Sequence, residues 1–172
     1  MDFNNLVRMR RSCRHFTAEE IKPEDLQTVL RAALMSPTSK GQQAWRFIVV
    51  DDKGLIEKIA DAKDRGAQFM KEALLAIVVL GDVQMNDCWI EDGAIAAISM
   101  QYQAADLGLG SCWVQMRGRG LSDGHAADEV LHGILDIPEN LQVLCVIAIG
   151  YPAEKSKPKA EERLKWENIS IK

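Results

Sequence analysis

Four segments of the chain, residues 46–51, 75–81, 111–116 and 142–151, are apolar at nearly every position rather than at every second one. Each has the length of a strand, and a strand apolar on both faces must be covered on both faces. Between these runs the apolar residues recur at helical spacing. Residues 2–10 place Phe3, Leu6, Val7 and Met9 on a short helix. A better helix opens at Pro23 and carries Leu26, Val29, Leu30, Ala33 and Leu34. Proline fits a first turn, and Ser36-Pro37 ends the helix because proline lacks a donor and restricts its predecessor. Thr17 and Glu20 fit the cap of a short turn. Residues 55–62, 67–73 and 126–135 read as short helices. Residues 91–107 read as a long one, with Trp89 at its start, on a candidate dimer surface, and with Ala94, Ala96, Ala97, Ala104 and Ala105 along it. Such small residues admit a second helix or a ligand at close range, and Gly108-Leu109-Gly110 stops the helix. After Pro152 the pattern gives way to charge. The expected fold is α+β, a small mixed, mostly antiparallel sheet with helices on both sides, in one domain over 1–172. Residues 152–172 form an extended C-terminal arm.

The chain of 172 residues is 47% apolar, enough for one sizeable core, and its formal net charge of -4 disfavours nucleic acid and membrane surfaces as partners. No apolar run reaches transmembrane length, and the first residues lack a basic lead before an apolar stretch, so a cytoplasmic location is expected. Cys13, Cys88, Cys112 and Cys145 form no Cys-x-x-Cys pair, and His15, His125 and His132 have no metal-ligand spacing. No metal is expected. A dinucleotide fold would need G-x-G-x-x-G after a strand, and a nucleoside triphosphatase G-x-x-x-x-G-K-[ST]; neither occurs.

Against this acidic background Arg10, Arg11 and Arg14 crowd into five residues, with Ser12 among them and Phe16 just beyond. Like charges so close repel unless something anionic sits against them. Guanidinium forks and a serine hydroxyl match phosphate oxygens. The other reading is a solvated face paired with Glu19, Glu20 or Glu24. A second polar segment, residues 36–43, lies between a helix end and a buried strand and is rich in hydroxyl and amide groups.

Read together, these segments resemble the nitroreductase family of FMN-dependent oxidoreductases. Residues Arg10-Arg11-Ser12-Cys13-Arg14-His15-Phe16 match its R-R-S-x-R-x-F pattern. Ser36-Pro37-Thr38-Ser39, continuing through Gln43, Trp45, Arg46 and Phe47, matches P-S-x-x-N-x-Q-P-W-R-F. Leu107 to Trp113 and the ending Gly150-Tyr151-Pro152 follow in family order. The resemblance implies an intertwined homodimer with FMN at the subunit interface. Arg10 and Ser12 would face the phosphate and ribityl chain, with Arg11 close by, and Arg14 would reach the pyrimidine edge. Pro37, Thr38, Ser39, Gly41 and Gln43 would come from the second subunit. Lys71 would approach the pyrimidine ring, Val114 and Gln115 would run beside N5 and O4, and Lys157 or Lys159 would add to the phosphate site. Two departures from the pattern matter: Gly41 stands for an asparagine and Ala44 for a proline.

The implied activity is hydride transfer from NADH or NADPH through FMN to nitroaromatics, quinones or related acceptors, by a ping-pong route. No catalytic side chain is assigned, because the flavin carries the chemistry and Arg14 gives electrostatic support. Glu91 and Asp92 fit a helix start. Alternative readings keep the fold but make it an enone reductase, a dehalogenase, an enzyme of flavin breakdown or a non-catalytic flavin-binding protein. A helical interaction protein with a fortuitous arginine cluster is a further one.

Overall fold

The four apolar runs build a single sheet. In the computed structural model, which describes residues 1–172, strands β1 (Trp45–Val50), β2 (Leu75–Asp82), β3 (Gly110–Gln115) and β4 (Leu141–Gly150) lie in the order β1-β2-β4-β3. Every pairing of neighbours is antiparallel. The mixed character expected of the sheet is confined to one parallel bridge, between Ser12 and Ser111. The central strand β2 is buried along its whole length, as an uninterrupted apolar run requires.

Helices α1 (Phe3–Met9), α2 (Pro23–Leu34), α3 (Lys53–Ala60), α4 (Trp89–Asp106) and α5 (Ala127–Leu135) surround the sheet. On one face, Val29 and Ala33 of α2 and Ala97, Met100 and Ala104 of α4 pack with Ile77, Val79, Ile147 and Ile149. On the other, Ile56 and Ile59 of α3 and Leu131 of α5 pack with Ala76, Val78, Val146 and Ala148. Odd positions of β2, and of β4 from Cys145 onward, thus serve one layer and even positions the other, the period of two that a pleated strand imposes. The segment expected as a helix at 67–73 is a 3-10 turn, Gln68–Glu72. With so few residues before the chain extends into β2, it closes on Met70 N–H to Ala67 C=O at 2.8 Å and Ala73 N–H to Met70 C=O at 2.9 Å.

Two glycines fix how α4 meets the sheet. A side chain at Gly81 would strike the Trp89 ring at 2.6 Å. Trp89 is therefore buried against β2 and not on the outer, candidate dimer surface that its position at the helix start predicts. A bulge lies where the pairing steps from Val79–Cys145 to Leu80–Val143. The skipped Leu144 packs into the space left by Gly93, whose Cβ would lie 2.7 Å from its methyl.

Beyond Pro152 no residue is buried, and only two short 3-10 turns, Glu161–Arg163 and Trp166–Asn168, interrupt the arm. It is fastened by Ala153 N–H to His15 C=O at 2.9 Å and Lys159 N–H to Arg8 C=O at 3.0 Å. No helix is long and apolar enough to cross a membrane.

Candidate functional site

The arginine segment is laid against the end of the sheet by its own alternation. Cys13 and Phe16 point inward and are buried, while Ser12, Arg14 and His15 are exposed. Gly110 and Gly150, which face each other across β3 and β4, make room for the two inward side chains. A Cβ on Gly110 would meet Cys13 Cβ and Sγ at 2.7 Å, and one on Gly150 would meet Phe16 at 2.9 Å. The backbone is tied by Cys13 N–H to Ser111 C=O and Thr17 N–H to Tyr151 C=O, both 2.9 Å.

This pinning projects the polar residues of the segment outward. Arg10 Nη1 donates to Oε1 of the buried Gln101 at 3.3 Å, and Arg11 donates to the carbonyls of Arg8 and Arg10. Arg14 lies over the Phe69 ring, its Cζ 5.7 Å from the centroid. None of the three has a carboxylate within 4.0 Å, so the pairing with Glu19, Glu20 or Glu24 does not form. Burial, and then the neighbouring Arg10 charge, holds Arg11 below the ordinary arginine pKa. Cations held together without an anion make a receptor for one.

A groove of about 340 Å³ runs between Ser12–His15 and Glu154–Lys157 of the arm. It adjoins a second of about 290 Å³ that Arg10, Arg11, Gly110 and Ser111 line, with Lys155 and Ser156 common to both. Lys157 is thus beside Ser12 and Arg14, whereas Lys159 serves through its backbone to fasten the arm. Lys155 and Ser156 were not singled out from sequence, although the alternation Lys155, Lys157, Lys159 is a legible signal. The roomiest cavity, about 440 Å³, lies elsewhere, between Glu20, Ile21, Leu26, Asp51 and Leu75. With two carboxylates and no cation in its wall it suits no phosphate.

The outer edge of β3 supplies backbone groups. Ser111 C=O accepts from Cys13 N–H, and Gln115 C=O accepts from Lys63 Nζ at 2.8 Å. Both bonds lie on the side away from β4, so by the period of two Ser111, Trp113 and Gln115 turn their N–H and C=O outward together. Val114 faces the core instead and contributes packing. The Gln115 side chain is locked: Trp113 Nε1 donates to its Oε1 at 2.9 Å, and its Nε2 donates to Arg117 C=O at 2.8 Å.

The second polar segment is a rigid loop. Lys40, Gly41 and Gln43 all adopt positive φ, of 54°, 66° and 51°. Only at Gly41 is that free of a side-chain penalty. The loop is held by Ser39 N–H to Asp92 Oδ1 at 2.8 Å and Gln43 N–H to Thr38 Oγ1 at 3.1 Å. Asp92 is buried and also accepts from Asn86 Nδ2 at 2.8 Å, so it anchors this loop as well as opening α4. Pro37, Gly41 and Gln43 are exposed, and no hydrogen bond joins this loop to the arginine segment of the same chain. The indole Nε1 of Trp45, next along the chain, is buried with no acceptor. Lys71 pairs with Asp61 at 2.8 Å, and bonds from Lys71 and Gln68 lower the Asp61 pKa. Its neighbour Phe69 carries Arg14, so Lys71 stands near the segment with its charge already matched.

A phosphate-bearing planar heterocycle fits this donor set: unmatched guanidiniums at one end, then a strand edge with outward N–H groups. Known proteins share the fold on which this donor set stands. The nitroreductase family model matches residues 7–78 and 57–151. An FMN-dependent nitroreductase from Clostridium difficile R20291 has a structure superposing with a TM-score of 0.96 at 40% identity, over 98% of both chains. An Archaeoglobus fulgidus protein, provisionally named an NADH dehydrogenase/NAD(P)H nitroreductase, is 32% identical over 95% of this chain and 94% of its own. A structure from Bacteroides thetaiotaomicron with the same provisional name superposes with a TM-score of 0.88 at 29% identity, covering 98% of this chain and 95% of the other. With both halves of the sequence matched, and the glycine-seated arginine segment on the same fold, the chain belongs to the nitroreductase family.

Proposed function

We propose that the protein is an FMN-dependent oxidoreductase that transfers a hydride from NADH or NADPH to nitroaromatic, quinone or related acceptors. The observation that carries this reading is the set of three unpaired guanidiniums beside the free edge of β3. When bound, FMN supplies the two-electron chemistry between reductant and acceptor.

The chain's own residues hold and bias it. Arg10, Arg11 and Ser12, with Lys155 and Lys157 from the arm, line adjoining grooves and would hold the phosphate. Arg14, steadied over Phe69, would meet the pyrimidine side and favour negative charge there, as a donor fixed in advance does without reorganising. The outward N–H groups of Trp113 and Gln115 would serve as donors to the edge of the ring. Gly41 and Gln43, exposed, and Thr38 and Ser39, half-buried, stand on a stiff loop unconnected to the arginine segment of their own chain, and would complete the site of a second copy. The working unit is therefore a homodimer with two equivalent sites. No side chain is assigned as general acid or base.

Purified protein is expected to be yellow, to bleach anaerobically with NADH or NADPH, and to regain colour when a nitroaromatic or quinone is added. Parallel double-reciprocal plots are expected from the alternating use of one site. A colourless protein that leaves the fluorescence of added FMN unchanged overturns the proposal. Bound flavin that neither nicotinamide bleaches makes it a carrier instead.

A further inference from the structure

At the far end of the β3 edge stands a lysine with no counter-ion. Lys63 follows α3, is 6% exposed, and donates from Nζ to Gln115 C=O at 2.8 Å. No carboxylate lies within 4.0 Å of it. Burial, and then the charge of another cation, Arg119, lowers its pKa from the ordinary lysine value, only partly opposed by the Cys112 thiol. Lysines are almost never buried unpaired, because withdrawing an ammonium from water is costly.

Two consequences of this placement meet at Gln115. The side chain of Gln115 already bonds Trp113 and Arg117, and Lys63 takes its carbonyl. What remains free on the outward side is the N–H. Beside it, on the same outward edge, sits an unneutralised positive charge in surroundings of low polarity, where charge acts more strongly than in water.

We propose that Lys63 is a positioning residue of the flavin site: it pins Gln115 so that its N–H faces the ring, and its charge favours reduced over oxidised FMN. This rests on the assignment of the β3 edge to FMN made above. A ligand that gains negative charge on reduction is bound more tightly, in that state, by a protein holding an unmatched cation nearby.

Lys63→Gln and Lys63→Met separate the bond from the charge. Glutamine keeps an N–H donor without charge; methionine keeps the length of the stem with neither. Oxidised-FMN affinity is read by fluorescence quenching, the midpoint potential by anaerobic dye-coupled titration, and apo-protein melting by circular dichroism. Lys63→Gln is expected to bind oxidised FMN nearly as the wild type does, but to bind reduced FMN roughly tenfold less well relative to it. That ratio corresponds to a potential lower by about 30 mV for a two-electron couple. Lys63→Met is expected to show the same fall in potential together with weaker binding of both forms. A lysine with a merely structural role lowers the melting temperature and leaves the potential alone. Variants that take up FMN with the wild-type potential therefore overturn this inference while the flavin reading stands. Wild-type protein that takes up no FMN overturns both.

Discussion

An arginine with no carboxylate beside it keeps its full charge for a ligand, and Arg10 and Arg14 illustrate two ways of holding one ready. Arg10 is steadied by the neutral Gln101 and Arg14 by the face of Phe69, so neither is neutralised in advance. A hydrogen bond to a charged group contributes about 1.5–3 kcal/mol, so Arg10→Ala should raise the Kd for FMN roughly 10- to 100-fold. Arg14→Ala should weaken FMN and also slow its reduction by NAD(P)H; retained affinity with a wild-type rate in stopped flow contradicts the role given to it. The thiols give a second check at this scale. Burial raises the pKa of Cys13, Cys112 and Cys145, which lowers their thiolate fraction near neutral pH. Only Cys88, half-buried, is expected to react quickly with a disulfide reagent in the native protein, and three fast thiols would contradict the packing. Residue types in runs made the arginine segment legible in the sequence. Lys63 and Asp92 were not, because their importance comes from burial beside partners 52 and 53 positions away.

At the scale of elements, the apolar runs announced the strands, and helical spacing announced α2 and α4, because each is long enough for its period to repeat. Strand order could not be read this way: β2 pairs with β4 across the intervening β3, and nothing within either strand encodes that neighbour. The turn at Gln68–Glu72 has helix-forming residues but no length in which to complete an α-helical bond pattern. What joins element to site is the close contact at Gly110. Gly110→Ala places a methyl 2.7 Å from Cys13 and 3.3 Å from Pro152, and overpacking of this kind costs about 1–3 kcal/mol. The segment bearing the arginines has to give way, so FMN affinity should fall together with the melting temperature. A destabilised variant with unchanged FMN affinity would show that the segment is positioned by something else. Asp92→Ala should act on the other element. It frees Ser39 N–H and the buried Asn86 amide, costing about 1–3 kcal/mol for each group left unsatisfied, and loosens the stiff loop. Asp92→Asn, which can still accept from Ser39, should recover part of the loss in thermal melting.

For the molecule as a whole, the decisive asymmetry is that a buried sheet coexists with large apolar side chains on the outside. Phe3, Leu34 and Met35 on the helices are 68%, 54% and 78% exposed, and Trp166, Ile169 and Ile171 on the arm are 68%, 61% and 97% exposed. Surface scatter accounts for single residues, but not for an arm that buries none of its own and makes no hydrogen bond or ion pair with the body beyond Glu161. Such an arm has no reason to be ordered on an isolated chain, since ordering costs about 1–2 kcal/mol per residue and it returns no burial. In the homodimer proposed above a second copy would supply the missing surface, and obligate dimers bury on the order of 2,000–5,000 Å² in this way. Removing residues 161–172 leaves Lys155, Lys157 and the Lys159 anchor in place while deleting the four large apolar side chains beyond them. The truncated chain should sediment as a monomer at micromolar concentration and release its FMN on gel filtration, although every arginine is intact. Arg10→Ala should do the opposite, losing FMN while remaining a dimer. If the truncated chain stays dimeric with a full complement of flavin, the arm is not the interface. If it becomes monomeric and keeps its flavin, one chain suffices for the site and the loop at Thr38–Gln43 contributes nothing from a partner.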